Sequence, residues 1–265
     1  MNHTPRLPAD LHVHSSCSID GKATLDELCE AAIAIGLGAV CLTDHWDFDP
    51  QDTGFGRFDY ETYTGLVETA RARYAERLVI FKGIEIDYQH QFEGEVRAAL
   101  DGKRFDHVLG AVHYVDGHAL SAELIAERGL EAVYAAYVEE VAASARSGLF
   151  GAIAHFDYVS KYAGPNKVLL RDESLRRRLH ECLYEIIKSG AALEMNTHGL
   201  VRAPRNFYPS VELLRPYREL GGKRVTVGSD AHEAHEVGLG IGAAYAMVDA
   251  LGFRAYSPGP IAGLT

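Results

Sequence analysis

Histidines recur near the ends of short apolar segments in this chain. The first such segment, DLHVH at residues 10–14, carries His12 and His14 two positions apart. On a β-strand, side chains two residues apart project from the same face, so both imidazoles would face one side while Leu11 and Val13 face the other. Imidazole is a common ligand of transition metals. The segment therefore indicates a metal site if other parts of the chain bring ligands to the same place.

Six further apolar segments also carry or precede residues that can bind metal. They are AVCLTDH (39–45), LVIFKGIEI (78–86), HVLGAVH (107–113), FGAIAH (150–155), AALEMN (191–196) and RVTVGSDAH (224–232). Together with the first segment and the loop after it, they offer His12, His14, Asp20, Asp44, His45, Glu85, His113, His155, Glu194, Asn196, Asp230 and His232.

A single histidine after a strand usually packs or caps, but this many converging imidazoles and carboxylates would be costly without cations among them. Histidine and carboxylate ligands without thiolates suit zinc, manganese or iron. The sequence therefore predicts a multinuclear metal site.

The elements that would position these side chains are strands alternating with amphipathic helices. Helical spacing of apolar residues appears in 25–38, 63–78, 130–148, 175–190 and 211–222, and several of these segments reach a glycine at their end. Strands that alternate with helices predict βα units and a parallel sheet. Seven strands in one domain spanning 1–265 favour a TIM-type barrel that is one unit short, with functional residues at the carboxyl ends of the strands. An open doubly wound sheet is the alternative, although no GxGxxG follows the first strand.

Composition limits the possible partners. The 265 residues are 47% hydrophobic and 24% charged, as in ordinary globular proteins. No apolar run is long enough for a membrane span or a signal peptide, and residues 1–8 are expected to be flexible. The formal net charge is −11, and the only dense basic run is RRR at 176–178, so we expect no nucleic-acid partner. The four cysteines show no CxxC spacing, which favours free thiols and a cytoplasmic location.

The motifs in this order resemble those of the PHP (polymerase and histidinol phosphatase) family of metallohydrolases. DLHVHS starts the series, TDH ends the second segment, GIE lies in the third and GSDAH in the seventh. The resemblance implies a distorted (β/α)7 TIM-like barrel in a single domain, with two or three divalent metal ions, such as zinc, manganese or iron. The ligand sets that it implies are His12, His14, Glu85 and Asp230 for one ion, Glu85 as a bridge with His113 and His155 for a second, and Asp20, His45 and His232 for a third. Many relatives have His where this chain has Asp20.

Two longer segments resemble the histidinol-phosphate phosphatase branch of that family. They are HFDYVSKY (155–162) and EMNTHGLVRAPRNFYPS (194–210). This similarity implies hydrolysis of a small phosphate monoester, L-histidinol phosphate, to L-histidinol and phosphate, a step of histidine biosynthesis. The expected nucleophile is a hydroxide bridging the metal ions, because coordination lowers the pKa of water to about 7.

Residues near the predicted ligands have expected roles of their own. Asp44 could orient a ligand or pass a proton to the leaving alkoxide. Lys161 and Arg202 are candidates to bind the phosphate, or else are solvated surface charges. The candidate contacts for an amino-imidazole substrate, with plain packing as the alternative, are Glu194, Asn196 and His198.

Three other functions remain open at this point. An amidohydrolase also begins with HxH on a barrel strand, but Glu85 in place of a bridging lysine, and His232 shortly after Asp230, favour the PHP interpretation. A PHP-type exonuclease or phosphodiesterase acting on a small ester is a second alternative. A metal-binding module without catalysis is the third, although such modules tend to lose ligands. The sequence leaves the oligomeric state open.

Overall fold

A computed structural model of the chain describes residues 8–164, 168–201 and 205–256. Within these ranges the strands are β1 (Ala9–Val13), β2 (Ala39–Leu42), β3 (His45–Trp46), β4 (Val79–Asp87), β5 (His107–Ala111), β6 (Tyr114–Val115), β7 (His118–Ala119), β8 (Ala152–Ile153), β9 (Ala192–Asn196), β10 (Arg224–Gly228) and β11 (Arg254–Ala255). The α-helices are α1 (Leu25–Ala34), α2 (Tyr60–Tyr74), α3 (Glu93–Leu100), α4 (Ala122–Arg128), α5 (Leu130–Ser147), α6 (Ser160–Ala163), α7 (Val168–Arg171), α8 (Glu173–Ser189), α9 (Val211–Glu219) and α10 (Ile241–Ala250). The predicted flexibility of residues 1–8 falls outside the described residues, except at position 8.

The seven predicted strands are present and form one parallel sheet. Their order is β1-β2-β4-β5-β8-β9-β10, and each pair of neighbours along this path is parallel. Strand β3 pairs with the end of β4, β11 pairs with the start of β10, and β6 and β7 form a separate antiparallel hairpin. The predicted α/β class and the distorted (β/α)7 barrel are thus confirmed, and the open doubly wound sheet is not.

Among the described residues, the barrel closes at the carboxyl ends of its strands. The amide of His14 donates to the carbonyl of Ala231 at 2.8 Å, and the amide of Asp230 donates to the carbonyl of His12 at 2.7 Å. At the other end of β10, residues 224 and 225 pair with β11 instead of β1. Backbone N–H and C=O groups must be paired when buried, so β10 shares its free edge between two strands. This division makes the barrel distorted.

Strand β1 departs from simple alternation. Its register against β2 shifts between Asp10 and Val13, as at a β-bulge. Leu11 accordingly packs in a small cluster made only of strand residues, whereas Val13 joins the large cluster shared with the helices. The sequence-based expectation that Leu11 and Val13 face the same side is therefore wrong, because the bulge interrupts the alternation of side chains along the strand. His12 and His14 still converge.

The helices cover the outer face of the sheet. The five predicted helical segments correspond to α1, α2, α5, α8 and α9. Thr24 and Glu27 form a capping box at the start of α1, a feature that stabilises a helix by about 1 kcal/mol. Helices α5 and α8 end at Gly148 and Gly190 in the left-handed conformation that glycine adopts without strain. No helix in the described ranges is both long and apolar enough to cross a bilayer.

Candidate metal centre

Seven of the nine predicted ligands line one cleft at the carboxyl ends of the strands, and the other two, His12 and His14, are buried beside them. The cleft has a cavity volume of about 670 Å³. Its lining includes more carboxylates than lysines: Asp20, Asp47, Asp52, Glu85, Asp230, Glu233 and Glu236 against Lys22 and Lys161. A phosphate ester would be repelled from this lining without added positive charge.

Four side chains surround a point at the base of the cleft. His12 Nε2 and His14 Nε2 are 2.9 Å apart. Glu85 Oε2 lies 3.4 Å from each of these nitrogens, while Asp230 Oδ1 lies 3.7 Å from the first and 3.3 Å from the second. His12 and His14 are fully buried. These are the four residues that the resemblance assigns to one ion.

The spacing and chemistry of these atoms fit a shared cation. Ligand atoms about 2.0–2.1 Å from a tetrahedral zinc ion are separated from each other by about 3.3 Å, close to the distances observed. Two facing imidazole nitrogens can share only one proton, and a carboxylate oxygen offers none. A divalent ion would satisfy the lone pairs of all four atoms at once. The donor set, two imidazoles and two carboxylates, suits zinc, manganese or iron.

Glu85 links this group to a second one. Its other oxygen, Oε1, lies 2.9 Å from His155 Nε2, which is 3.2 Å from His113 Nε2. Although buried, Glu85 Oε1 makes no hydrogen bond of normal geometry within the described part of the chain. A buried oxygen that approaches an imidazole nitrogen without a hydrogen bond is a further feature that a bound cation explains. This arrangement matches a bridging Glu85.

A third group lies nearer the mouth of the cleft. Asp20 Oδ2 is 3.0 Å from His232 Nε2 and 3.6 Å from His45 Nε2. His14 also offers a nitrogen to this group, and its ring stacks on that of His232 with a centroid distance of 4.4 Å. The three groups therefore share residues, as expected when neighbouring ions share one site.

Mutual interactions shift the pKa values of the clustered groups strongly. Burial alone would lower the pKa of His12, but the carboxylates of Glu194, Glu85 and Asp230 hold it well above its ordinary value. Burial alone would likewise raise the pKa of Glu85, but His12 and His45 bring it well below its usual range. For His14, burial together with His232 and His45 lowers the pKa to about 3. Such perturbed groups in a cleft are typical of functional sites.

Three carboxylates behind the predicted ligands, those of Glu194, Asp87 and Asp44, hold them in place. Glu194 Oε1 lies 2.7 Å from His12 Nδ1, so that the Nε2 of His12 faces the cluster. Asp87 Oδ1 accepts from the amide of His113 at 2.8 Å and lies 3.4 Å from its Nδ1.

Asp44 acts through the serines of the β1 loop. Its carboxylate accepts from the amide and hydroxyl groups of Ser15 and Ser18 at 2.7–3.0 Å. Ser18 Oγ in turn lies 3.2 Å from His14 Nδ1 and accepts from the amide of His45. These contacts favour an orienting role for Asp44.

Backbone strain accompanies two of the predicted ligands. His155 and Asp230 have φ values of 59° and 57°, in the left-handed region that non-glycine residues rarely adopt. Each lies two residues beyond its strand, β8 or β10. The left-handed turn redirects the chain immediately after the strand, where its side chain joins the cluster. Strain of about 1–3 kcal/mol at such positions is common at functional sites.

The residues predicted to bind substrate divide into three cases. Lys161 and His198 line the cleft. Glu194 and Asn196 are fully buried behind the ligands and are absent from the lining. We therefore revise their expected role from substrate contact to ligand positioning, because burial removes them from the cleft surface. Arg202 lies outside the described residues.

Sequence reasoning missed several residues near the site. Asp87 follows Glu85 by two positions on β4, a spacing that could have indicated it. Tyr158 stacks on His155 with a centroid distance of 4.9 Å and meets His113 edge-on. Asp47 follows β3 two residues after His45 and lines the cleft.

Known proteins resemble this chain over most of its length. The sequence profile of the PHP domain family matches residues 10–198. A probable histidinol-phosphatase of Deinococcus radiodurans is 32% identical over 239 residues, covering 87% of this chain and 88% of the relative. A probable histidinol-phosphatase of Thermotoga maritima is 30% identical over 234 residues, covering 88% of this chain and 87% of the relative. The crystal structure of histidinol phosphate phosphatase from Lactococcus lactis, complexed with zinc, L-histidinol and phosphate, superposes with a TM-score of 0.84 at 25% identity, covering 97% of this chain and 98% of that one.

Proposed function

The chain belongs to the PHP domain family, and we propose that it is a metal-dependent phosphatase that hydrolyses L-histidinol phosphate to L-histidinol and phosphate. The observation that carries this proposal is the convergence of nine imidazole and carboxylate side chains into three linked groups at one cleft. The similar protein of L. lactis binds zinc, L-histidinol and phosphate, and the related chains bear the same enzymatic name. Histidine biosynthesis is the corresponding role.

The metal ions would be two or three in number, with zinc, manganese and iron as the candidates. His12, His14, Glu85 and Asp230 would hold one ion; Glu85, His113 and His155 a second; and Asp20, His45 and His232 a third. Bound divalent ions supply positive charge for phosphoryl oxygens and activate water near neutral pH. Phosphomonoester hydrolysis is extremely slow without catalysis, so electrostatic stabilisation of this kind is the main requirement.

Other residues of the chain prepare the cleft for its substrate. Lys161 lines the cleft, and its Nζ lies 2.5 Å from Tyr158 Oη and 4.5 Å from the ring centroid of Tyr158. Tyr158 thereby positions the ammonium beside the His113–His155 group, where it can attract a phosphoryl oxygen. His198 lines the cleft near His232, at a ring-centroid distance of 6.1 Å, and remains our candidate contact for the organic part of the substrate. Arg202 stays a second candidate phosphate ligand.

We also propose that the enzyme works in the cytoplasm. All four cysteines are free, and Cys29, Cys41 and Cys182 are buried. Unpaired thiols fit a reducing compartment.

A panel of phosphate esters tests the function. We expect the purified protein to contain divalent metal and to release phosphate from L-histidinol phosphate more efficiently than from phosphodiesters, with no hydrolysis of amides or lactams. His14→Ala or Asp230→Asn should remove metal and phosphatase activity together while preserving the circular dichroism spectrum. His180→Ala, at an exposed position of α8, is the matched control and should keep both. Full activity of a thoroughly metal-stripped sample would contradict the proposal.

A further inference from the structure

One carboxylate in the cleft, that of Asp47, has no hydrogen-bond or ion-pair partner among the described residues. Asp47 is only 9% exposed and lines the cleft. Within the described ranges, no hydrogen bond or ion pair reaches its carboxylate. It is also outside all three groups of candidate metal ligands.

The acidic residues around Asp47 differ from it in this respect. Asp49 accepts from Gln89 Nε2 at 3.1 Å and from the amide of Gln51 at 2.8 Å. Asp52 accepts from Tyr114 Oη at 2.8 Å and from a backbone amide at 2.6 Å. Asp87 accepts from the amide of His113. Asp47 alone among these four accepts no hydrogen bond within the described ranges.

The carboxylate of Asp47 faces the open cleft. Among its charged neighbours, the imidazoles of His45 and His113 favour the ionised form, while Asp52 and Asp87 oppose it. An ionised carboxylate offers acceptors only. A ligand group that pairs with it must therefore be a cation or a hydrogen-bond donor, and it must enter through the cleft.

The position of Asp47 relates that partner to the metal groups. Asp47 follows His45 by two residues, and two residues of extended chain span about 7 Å. A ligand held at the metal groups by a phosphate could therefore reach Asp47 with a cation only a few bonds away. In L-histidinol phosphate the ammonium is on the carbon next to the one that bears the phosphate.

We propose that Asp47 binds the ammonium of the substrate and makes the enzyme selective for phosphates of amino alcohols. This inference rests on the proposed function and adds a specificity determinant to it. Tyr114 and Asp52 form the adjacent wall of the cleft. Gly54 supports the arrangement, since a Cβ at that position would overlap the Oδ2 of Asp47. The backbone at Gly54 thus packs closely against that oxygen, and no hydrogen bond from the described residues reaches the carboxylate.

Two substrates that differ only in the amine test the proposal. The substrates are L-histidinol phosphate and its des-amino analogue, 3-(imidazol-4-yl)propyl phosphate. For Asp47→Asn we expect kcat/KM for L-histidinol phosphate to fall roughly ten- to a hundred-fold, the worth of a hydrogen bond to a charged group, chiefly through KM. The kcat/KM for the analogue should stay near its wild-type value, and the bound metal should be unchanged. The inhibition constant of L-histidinol should rise in parallel.

Two further variants sharpen the result. Glu233→Gln removes a carboxylate that lines the same cleft but is paired with Lys22, and it should leave the preference for the amine unchanged. Gly54→Ala keeps every charge but displaces the Asp47 carboxylate, and it should weaken that preference.

An equal loss on both substrates, or a loss of metal in Asp47→Asn, would overturn the inference while leaving the phosphatase function intact. If the wild-type enzyme did not hydrolyse L-histidinol phosphate, the proposed function would fail, and this inference would fail with it.

Discussion

Replacing Glu194 by glutamine should weaken metal binding although Glu194 itself lies outside the three ligand groups. Its Oε1 is 2.7 Å from His12 Nδ1, and its Oε2 accepts from Asn196 Nδ2 at 3.1 Å. Asn196 cannot readily reverse its amide, because its Oδ1 accepts from the amide of His198 at 2.9 Å. Glutamine would therefore place an NH₂ group against either His12 or Asn196, whereas a carboxylate accepts from both.

The size of the effect follows from that conflict. A hydrogen bond to a charged acceptor contributes about 1.5–3 kcal/mol, and loss of a partner behind a metal-binding histidine typically lowers metal affinity by about 10–100-fold. These figures agree, since a tenfold change corresponds to about 1.4 kcal/mol. Loss of the negative charge also eases deprotonation of His12, and this second effect strengthens metal binding. Metal affinity should therefore be compared at several pH values.

The assay is competition for zinc or manganese against a chromogenic chelator, combined with phosphate release at saturating metal. We expect Glu194→Gln to bind metal 10–100-fold more weakly and to recover part of its activity at high metal concentration. Glu140→Gln is the control, because Glu140 is largely buried and also lies 2.8 Å from a histidine nitrogen, that of the exposed His90, outside the cleft. It should change stability without changing metal affinity. Unchanged affinity in Glu194→Gln would refute our account of how His12 is oriented.

Two other predictions concern the same centre. In the metal-free protein the carboxylates around His12 overcome the effect of burial and keep its pKa well above the ordinary value. His12 therefore keeps its proton to higher pH than a free imidazole, and a metal ion must displace that proton. Metal binding should release protons and strengthen as pH rises, and calorimetry in buffers of different ionisation enthalpy that detected no proton release would contradict this. A Cβ at Gly228 would overlap His12 and approach Glu194 Oε1 to 2.6 Å. Gly228→Ala should therefore lower metal affinity and destabilise the fold by about 1–3 kcal/mol. Thermal unfolding with and without metal measures both effects.

The sequence predicts those residues of the site that lie at the ends of strands. His45, Glu85 and His113 each lie in or shortly after an apolar segment, and parallel strands present their carboxyl ends at one edge. Their convergence therefore follows from chain order alone. The same reasoning predicted the parallel sheet, because the intervening helices have clear 3.6-residue periodicity.

Other features depend on contacts between distant segments. The bulge in β1 and the division of the β10 edge between β1 and β11 are set by pairing, which single-strand patterns do not specify. Glu194 and Asn196 follow a strand like the predicted ligands, but packing against His12 decides that they point behind the site. Helix α10 is apolar over most of its surface and α3 is short, so neither gives a clear amphipathic signal.

The central claim is that distant histidines and carboxylates gather around bound cations. Anomalous diffraction from crystals grown with saturating zinc or manganese tests it most directly. We predict two or three ions in the cleft, with the nitrogens of His12 and His14 and oxygens of Glu85 and Asp230 about 2.0–2.2 Å from one of them. An empty cleft, with those imidazoles turned away from each other, would contradict the claim.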